Sequence, residues 1–181
     1  MKRLLTLLTL SLLACCTGAA ADERERSLTL DVGRSSSDSG RGHAELDIYR
    51  VGHRWGFKKT LWQGDSSRIG GYYEASLNRW NGPLDDITAV AFSPVFVWSF
   101  GESAGRAQPY IEAGIGVAFL DDKSVGGRQL GSSWQFEDRI GFGLKFERWD
   151  IHYRYMHYSN ADLEKPNQGI DAHVIGISYA Y

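Results

Sequence analysis

The segment YMHYSNADLEKPNQGID, Tyr155 to Asp171, sets a histidine and a serine two residues apart and follows them with a polar loop and a carboxylate. Those residue types can run acyl transfer. A serine hydroxyl is a weak nucleophile until an adjacent base takes its proton. His157 is the base nearest Ser159, and Asp171 can fix the imidazole tautomer and stabilise the imidazolium. The tetrahedral oxyanion then needs hydrogen-bond donors, for which Asn160, Asn167 and the backbone around Gly169 are the nearest candidates. A His-x-Ser pair arises often by chance, so the reading depends on where the elements put it.

Turn signals divide the chain into eight segments of about ten residues, near 27–35, 42–52, 68–80, 87–101, 108–121, 131–147, 149–159 and 170–181. Within them large apolar residues alternate with small or polar ones, the period of a β-strand. In the fourth segment Val90, Phe92, Pro94, Phe96, Trp98 and Phe100 alternate with residues such as Ala89, Ala91, Ser93 and Ser99. In the fifth, Ile111, Ala113, Ile115, Val117 and Phe119 oppose Glu112, Gly114 and Gly116. In the sixth, Trp134, Phe136, Ile140, Phe142, Leu144 and Phe146 oppose Gln135, Glu137, Arg139 and Lys145.

Alternation alone admits a soluble lipocalin-like barrel as well as a membrane barrel. Charged residues mixed with glycine and alanine suit a narrow, charge-paired interior, and aromatics near the segment ends suit interfacial girdles. The chain closes on Ile175, Ile177, Tyr179 and Tyr181 at every second position, which resembles the terminal strand of bacterial outer-membrane barrels. The expected fold is therefore all-β, an eight-stranded antiparallel outer-membrane β-barrel.

The N-terminus agrees with export. Lys2 and Arg3 precede a leucine-rich run and the small residues Ala19 to Ala21, so residues 1–21 read as a signal peptide and 22–181 as the barrel domain. A lipoprotein site at Cys15 is the competing reading. Cys15 and Cys16 both fall in the removed segment, which leaves neither disulfide nor thiol chemistry. Of the 20 basic residues, 18 remain against 22 acidic ones, a formal charge of −4, and no basic surface for nucleic acid is expected. His43 and His53 lack partners at metal-ligand spacing, and neither a metal nor a cofactor is called for. Lipid-facing aromatics are also where a homodimer would form.

In the seventh segment Trp149, Ile151, Tyr153 and Tyr155 form the apolar face, and Asp150, His152 and Arg154 the polar one. His157 and Ser159 share the odd parity of the apolar face. Counting back from Ile175 puts Asp171 on the outer side as well. With both termini in the periplasm, the three residues cluster at the outer rim of neighbouring strands, facing the membrane. Ionisable groups facing lipid invite a functional explanation, whereas a wet rim tolerates them at little cost. The triplet by itself admits both readings.

The stretches FSPVFVWSF, PYIEAGIGVAFL, LGSSWQFEDRIGFGLKF and above all HYSNADLEKPNQGID resemble the lipid A 3-O-deacylase (PagL) family across about residues 91–171. That resemblance implies a serine esterase on the outer surface of a barrel in the bacterial outer membrane. It would act on lipid A within lipopolysaccharide among the outer-membrane lipids. Ser159 falls on the nucleophile, His157 on the base, and Asp171 on an acidic position commonly held by glutamate; Glu164 is a rival within the loop. Asn160 and Asn167 fall on loop asparagines. The alternatives are a non-enzymatic outer-membrane barrel for adhesion, stress or passive transport, and a soluble periplasmic carrier.

Overall fold

A computed structural model describes residues 25–36, 43–83, 85–101 and 107–181; the expected signal peptide lies outside the described residues. Eight long strands follow one another: β1 (Arg26–Ser35), β2 (Asp47–Gly56), β3 (Ser67–Asn81), β4 (Asp86–Phe100), β5 (Gln108–Leu120), β6 (Trp134–Phe146), β7 (Trp149–Ser159) and β8 (Ile170–Ala180). Each pairs antiparallel with its neighbour in sequence, and β1 pairs with β8 from Ser27↔Ala180 to Ser35↔Ala172. The sheet is thus closed and has no free edge, the condition for a sheet to cross a bilayer. Short ladders at Trp62–Gln63 and between Ser124–Val125 and Arg128–Gln129 decorate the loops.

The alternation read from the sequence is the alternation of the wall. Leu30, Val90, Phe96, Ile115, Ile140, Phe142, Ile151 and Ile175 are all more than half exposed, Ile115 at 65%. An exposed apolar surface of this extent is a membrane-facing belt rather than the skin of a soluble protein.

The interior has two layers. Toward the mouth opposite the termini, Leu46, Ile48, Trp80, Ile87, Leu120, Leu130, Met156, Tyr158 and Ile170 pack into a buried apolar cluster. Below it lies a charge network. Arg50 pairs with Glu74, with Glu137 at 2.8 Å and with Asp31 at 3.3 Å; Arg139 meets Glu74 at 2.8 Å. Arg154 meets Asp31 at 2.9 Å and Glu112 at 2.5 Å. Buried charges persist only when paired and hydrogen-bonded, and here each carboxylate is shared among guanidinium groups and hydroxyls such as Ser93 on Glu137 and Tyr72 on Glu112.

The second strand departs from expectation. It runs Asp47–Gly56 rather than 42–52, because Gly52 does not end it. Gly52 faces inward at mid-strand, where an added Cβ would come within 2.7 Å of Thr29 Cγ2 and 3.3 Å of the Glu74 side chain. The glycine makes room for the charge network instead of a turn.

Candidate active site on the outer wall

β7 turns Trp149, Ile151, Tyr153, Tyr155, His157 and Ser159 outward, and buries His152, Arg154, Met156 and Tyr158. Ten residue steps separate Trp149 from Ser159. At about 3.3 Å each and a tilt near 40°, Ser159 sits roughly 25 Å above Trp149 along the barrel axis, the height of the apolar band of such barrels. The pair therefore stands at the upper edge of the belt, beside the 160–169 loop.

The antiparallel register sets His157 directly opposite Asp171 on β8. His157 Nδ1 and Asp171 Oδ1 are 2.7 Å apart, with the two side chains 39% and 45% exposed. With Nδ1–H donated to the carboxylate, Nε2 carries the lone pair, the state a general base requires. Gly169 lies against both members of the pair. A Cβ placed on it would be 3.4 Å from His157 Cε1 and 3.9 Å from Ser159 Cβ, so the imidazole edge and the serine flank the same small space. Its φ of +62° is a left-handed conformation suited to glycine.

The asparagines are placed differently. Asn160 continues the inward parity of Met156 and Tyr158 and is 3% exposed. Its Nδ2 donates to Leu130 O at 3.0 Å and Glu164 O at 2.9 Å, binding the 160–169 loop to the neighbouring 121–133 loop. Asn167 accepts from the Asn160 backbone N–H at 3.1 Å and donates to Asp162 at 3.2 Å. Neither side-chain amide is turned to His157 and Ser159; of the three oxyanion candidates, Gly169 is the one beside them. Glu164 is exposed in the loop, and His157 takes Asp171 as its carboxylate partner.

Two neighbours escaped the sequence reading. Asp138 of β6 is the cross-strand partner of His157 on its other side, an acidic residue on the apolar face of that strand. Its even parity, shared with Phe136 and Ile140, was the available signal. Tyr155 donates its hydroxyl to Asp171 Oδ1 at 2.6 Å, where periodicity had marked only a lipid-facing aromatic. Among the described residues no cluster of metal-ligating side chains occurs.

Comparison with known proteins bears on the fold and the family. Residues 47–180 match the family described as Lipid A 3-O-deacylase (PagL). Over 176 residues the chain is 39% identical to lipid A deacylase PagL of Pseudomonas aeruginosa, covering 96% of this chain and 95% of that one. It is 35% identical over 111 residues to lipid A deacylase PagL of Bordetella bronchiseptica, covering 61% of this chain and 57% of that one. A crystal structure of the outer membrane enzyme PagL superposes with a TM-score of 0.76 at 37% identity, over 84% of this chain and 98% of that one.

Proposed function

The chain belongs to the lipid A 3-O-deacylase (PagL) family, and from that premise we propose that Ser159, His157 and Asp171 are its catalytic nucleophile, base and orienting acid. The protein is an outer-membrane β-barrel enzyme that hydrolyses the ester-linked acyl chain at the 3-position of lipid A. The observation that carries the residue assignment is the 2.7 Å contact between His157 and Asp171 on the membrane-facing wall beside Ser159.

The chemistry follows from that geometry. Ser159 Oγ attacks the ester carbonyl carbon while its proton passes to His157 Nε2. The imidazolium is stabilised by Asp171 through Nδ1–H. Collapse of the tetrahedral intermediate breaks the bond to the sugar 3-oxygen, which takes the proton back from His157 and leaves as the hydroxyl. Water then adds to the acyl-enzyme with His157 as base and releases the fatty acid. Developing negative charge on the carbonyl oxygen needs donors, and the backbone beside Gly169 is best placed to supply one.

Location selects the substrate. A site at the upper edge of the apolar belt meets the level at which the acyl chains of outer-leaflet lipids join their head groups. The acyl chain lies along the wall and the sugar among the loops. Inside the barrel, Trp80 and Tyr158 and, below them, the ion pairs of Arg50, Arg139 and Arg154 fill the lumen above a cavity of about 620 Å³ at the end near the termini, lined by Arg54, Tyr72, Tyr110 and Asp150; that plug disfavours passive transport. Residues 1–21 are assigned to an export signal removed before the barrel forms.

Mass spectrometry of lipid A from cells producing the protein, beside cells producing Ser159→Ala, tests the assignment. Loss of one ester-linked hydroxyacyl group with the wild-type chain alone is expected. Deacylation by the folded variant would remove Ser159 from the mechanism.

A further inference from the structure

On the outward face of β7 and β8 the register pairs Tyr153 with Ile175, Tyr155 with His173, and His157 with Asp171. The two tyrosines do not bond to the residues opposite them. Each reaches two residues further toward the outer rim: Tyr153 Oη meets His173 Nδ1 at 2.6 Å, and Tyr155 Oη donates to Asp171 Oδ1 at 2.6 Å. Diagonal neighbours on a sheet face lie about 7–8 Å apart, within reach of an aromatic side chain and beyond that of most others. The Tyr155 ring also packs on His173, with centroids 5.4 Å apart and planes at 57°. A connected row thus runs from Tyr153 through His173 and Tyr155 to Asp171 and His157.

Asp171 Oδ1 accepts two hydrogen bonds, one from the phenol of Tyr155 and one from His157. An aspartate standing on the outer wall has few neighbours to fix its carboxylate. A single bond to a histidine leaves it free to swing about its own χ angles, and the histidine free to swing with it. A second donor reaching the same oxygen from below removes that freedom. The bond has an ionised acceptor, which strengthens it.

We propose that Tyr155 is a positioning residue of the esterase: it holds Asp171 in the orientation that sets His157, and so acts on the reaction through the carboxylate without touching the substrate. The inference rests on the assignment of Ser159, His157 and Asp171 to catalysis. The plain alternative, that Tyr155 is one more aromatic of the interfacial girdle, assigns no role to its hydroxyl and leaves the ring as the part that matters.

Tyr155→Phe separates the two, since it keeps the ring and removes the donor. The measurement is steady-state release of 3-hydroxy fatty acid from purified lipid A by detergent-solubilised protein, normalised to the folded fraction read from heat-modifiable migration on gels. Tyr155→Phe is expected to lower kcat about tenfold, the scale of one lost hydrogen bond to a charged acceptor, with KM changed less than about twofold. In an Asp171→Asn background the same change is expected to alter kcat less than about twofold, because the carboxylate it would orient is gone. Wild-type kcat in Tyr155→Phe overturns the proposal. So does a tenfold loss that recurs undiminished on top of Asp171→Asn, which would mean that Tyr155 acts elsewhere. The parent assignment fails by a different result, full activity in Ser159→Ala, so the two failures are distinguishable.

Discussion

His157 and Asp171 are direct cross-strand partners on β7 and β8, and their side chains close a 2.7 Å hydrogen bond on the outside of the barrel. The pairing is a property of register: a slip of one residue would carry one of the two into the lumen. The proposed acid is thereby supplied by the sheet, while the proposed nucleophile Ser159 stands where β7 ends.

Register sets Asp138 of β6 opposite His157 as well, and it is the 2.7 Å side-chain contact that distinguishes Asp171 from it. Replacing Asp171 with Asn leaves an amide that cannot stabilise the imidazolium and can favour the wrong tautomer. A loss in kcat on the order of 10²- to 10⁴-fold is expected, the range of an orienting carboxylate. Asp138→Asn leaves the 2.7 Å contact in place and is expected to cost less than tenfold. Lipid A turnover by the two folded variants, measured side by side, checks the ranking; equal losses would give both carboxylates the same standing.

Gly169→Ala tests the shape of the site. The left-handed conformation at φ +62° costs a non-glycine residue about 1–2 kcal/mol, and the new methyl would stand 3.4 Å from His157 Cε1 and 3.1 Å from the Tyr158 carbonyl. The expected outcome is a folded barrel with urea resistance reduced by about 1 kcal/mol and a clear fall in kcat. Unchanged kcat would show that the space between His157 and Ser159 is not where the ester sits.

Much of this architecture is readable from parity. A strand that alternates Trp149, Ile151, Tyr153, Tyr155 against His152 and Arg154 declares its two faces, and His157, Ser159 and Asp171 fall on the outer one by counting. What parity does not carry is where a strand stops and which side chains meet diagonally. The second segment is set at 42–52 instead of Asp47–Gly56 because a mid-strand glycine packed against Thr29 and Glu74 leaves no local trace. The Tyr155 bond to Asp171 depends on the register across an intervening loop. Asn160 was legible and passed over: the even parity of Met156 and Tyr158 runs one residue past the strand and carries its amide inside.

The inward amide of Asn160 has a consequence for activity. Since it binds the Leu130 and Glu164 carbonyls, Asn160→Ala removes two hydrogen bonds that tie the loops together, with Leu130 O keeping Gln135 Nε2 as a donor at 3.2 Å, a loss of about 1–3 kcal/mol in the stability of the outer loops. Limited proteolysis within 160–169 is expected to quicken. The fall in kcat is expected to stay below the roughly 10²-fold that deleting an oxyanion donor produces. A larger fall with proteolysis unchanged would return Asn160 to the oxyanion role.

Glu74 separates the stability of the barrel from its chemistry. It lies inside, fully removed from the outer wall, and accepts from Arg139 at 2.8 Å and Arg54 at 2.9 Å as well as from Arg50. Glu74→Ala strips a shared counter-charge from guanidinium groups that have no solvent to fall back on. Breaking one side of such a pairing costs about 3–5 kcal/mol, and the remaining contacts of Arg50 with Glu137 and of Arg54 with Asp150 hold the effect toward the lower end. Urea unfolding in detergent is expected to shift by about 3 kcal/mol, with the heat-modifiable folded fraction reduced in proportion. Molecules that do fold retain β7, β8 and their register, so kcat per folded barrel is expected to stay within about twofold of wild type. A fall in kcat beyond the loss of folded protein would instead couple the interior charges to the outer site through the strands they share, as when Arg154 and His152 pull on the backbone that presents Tyr155 and His157.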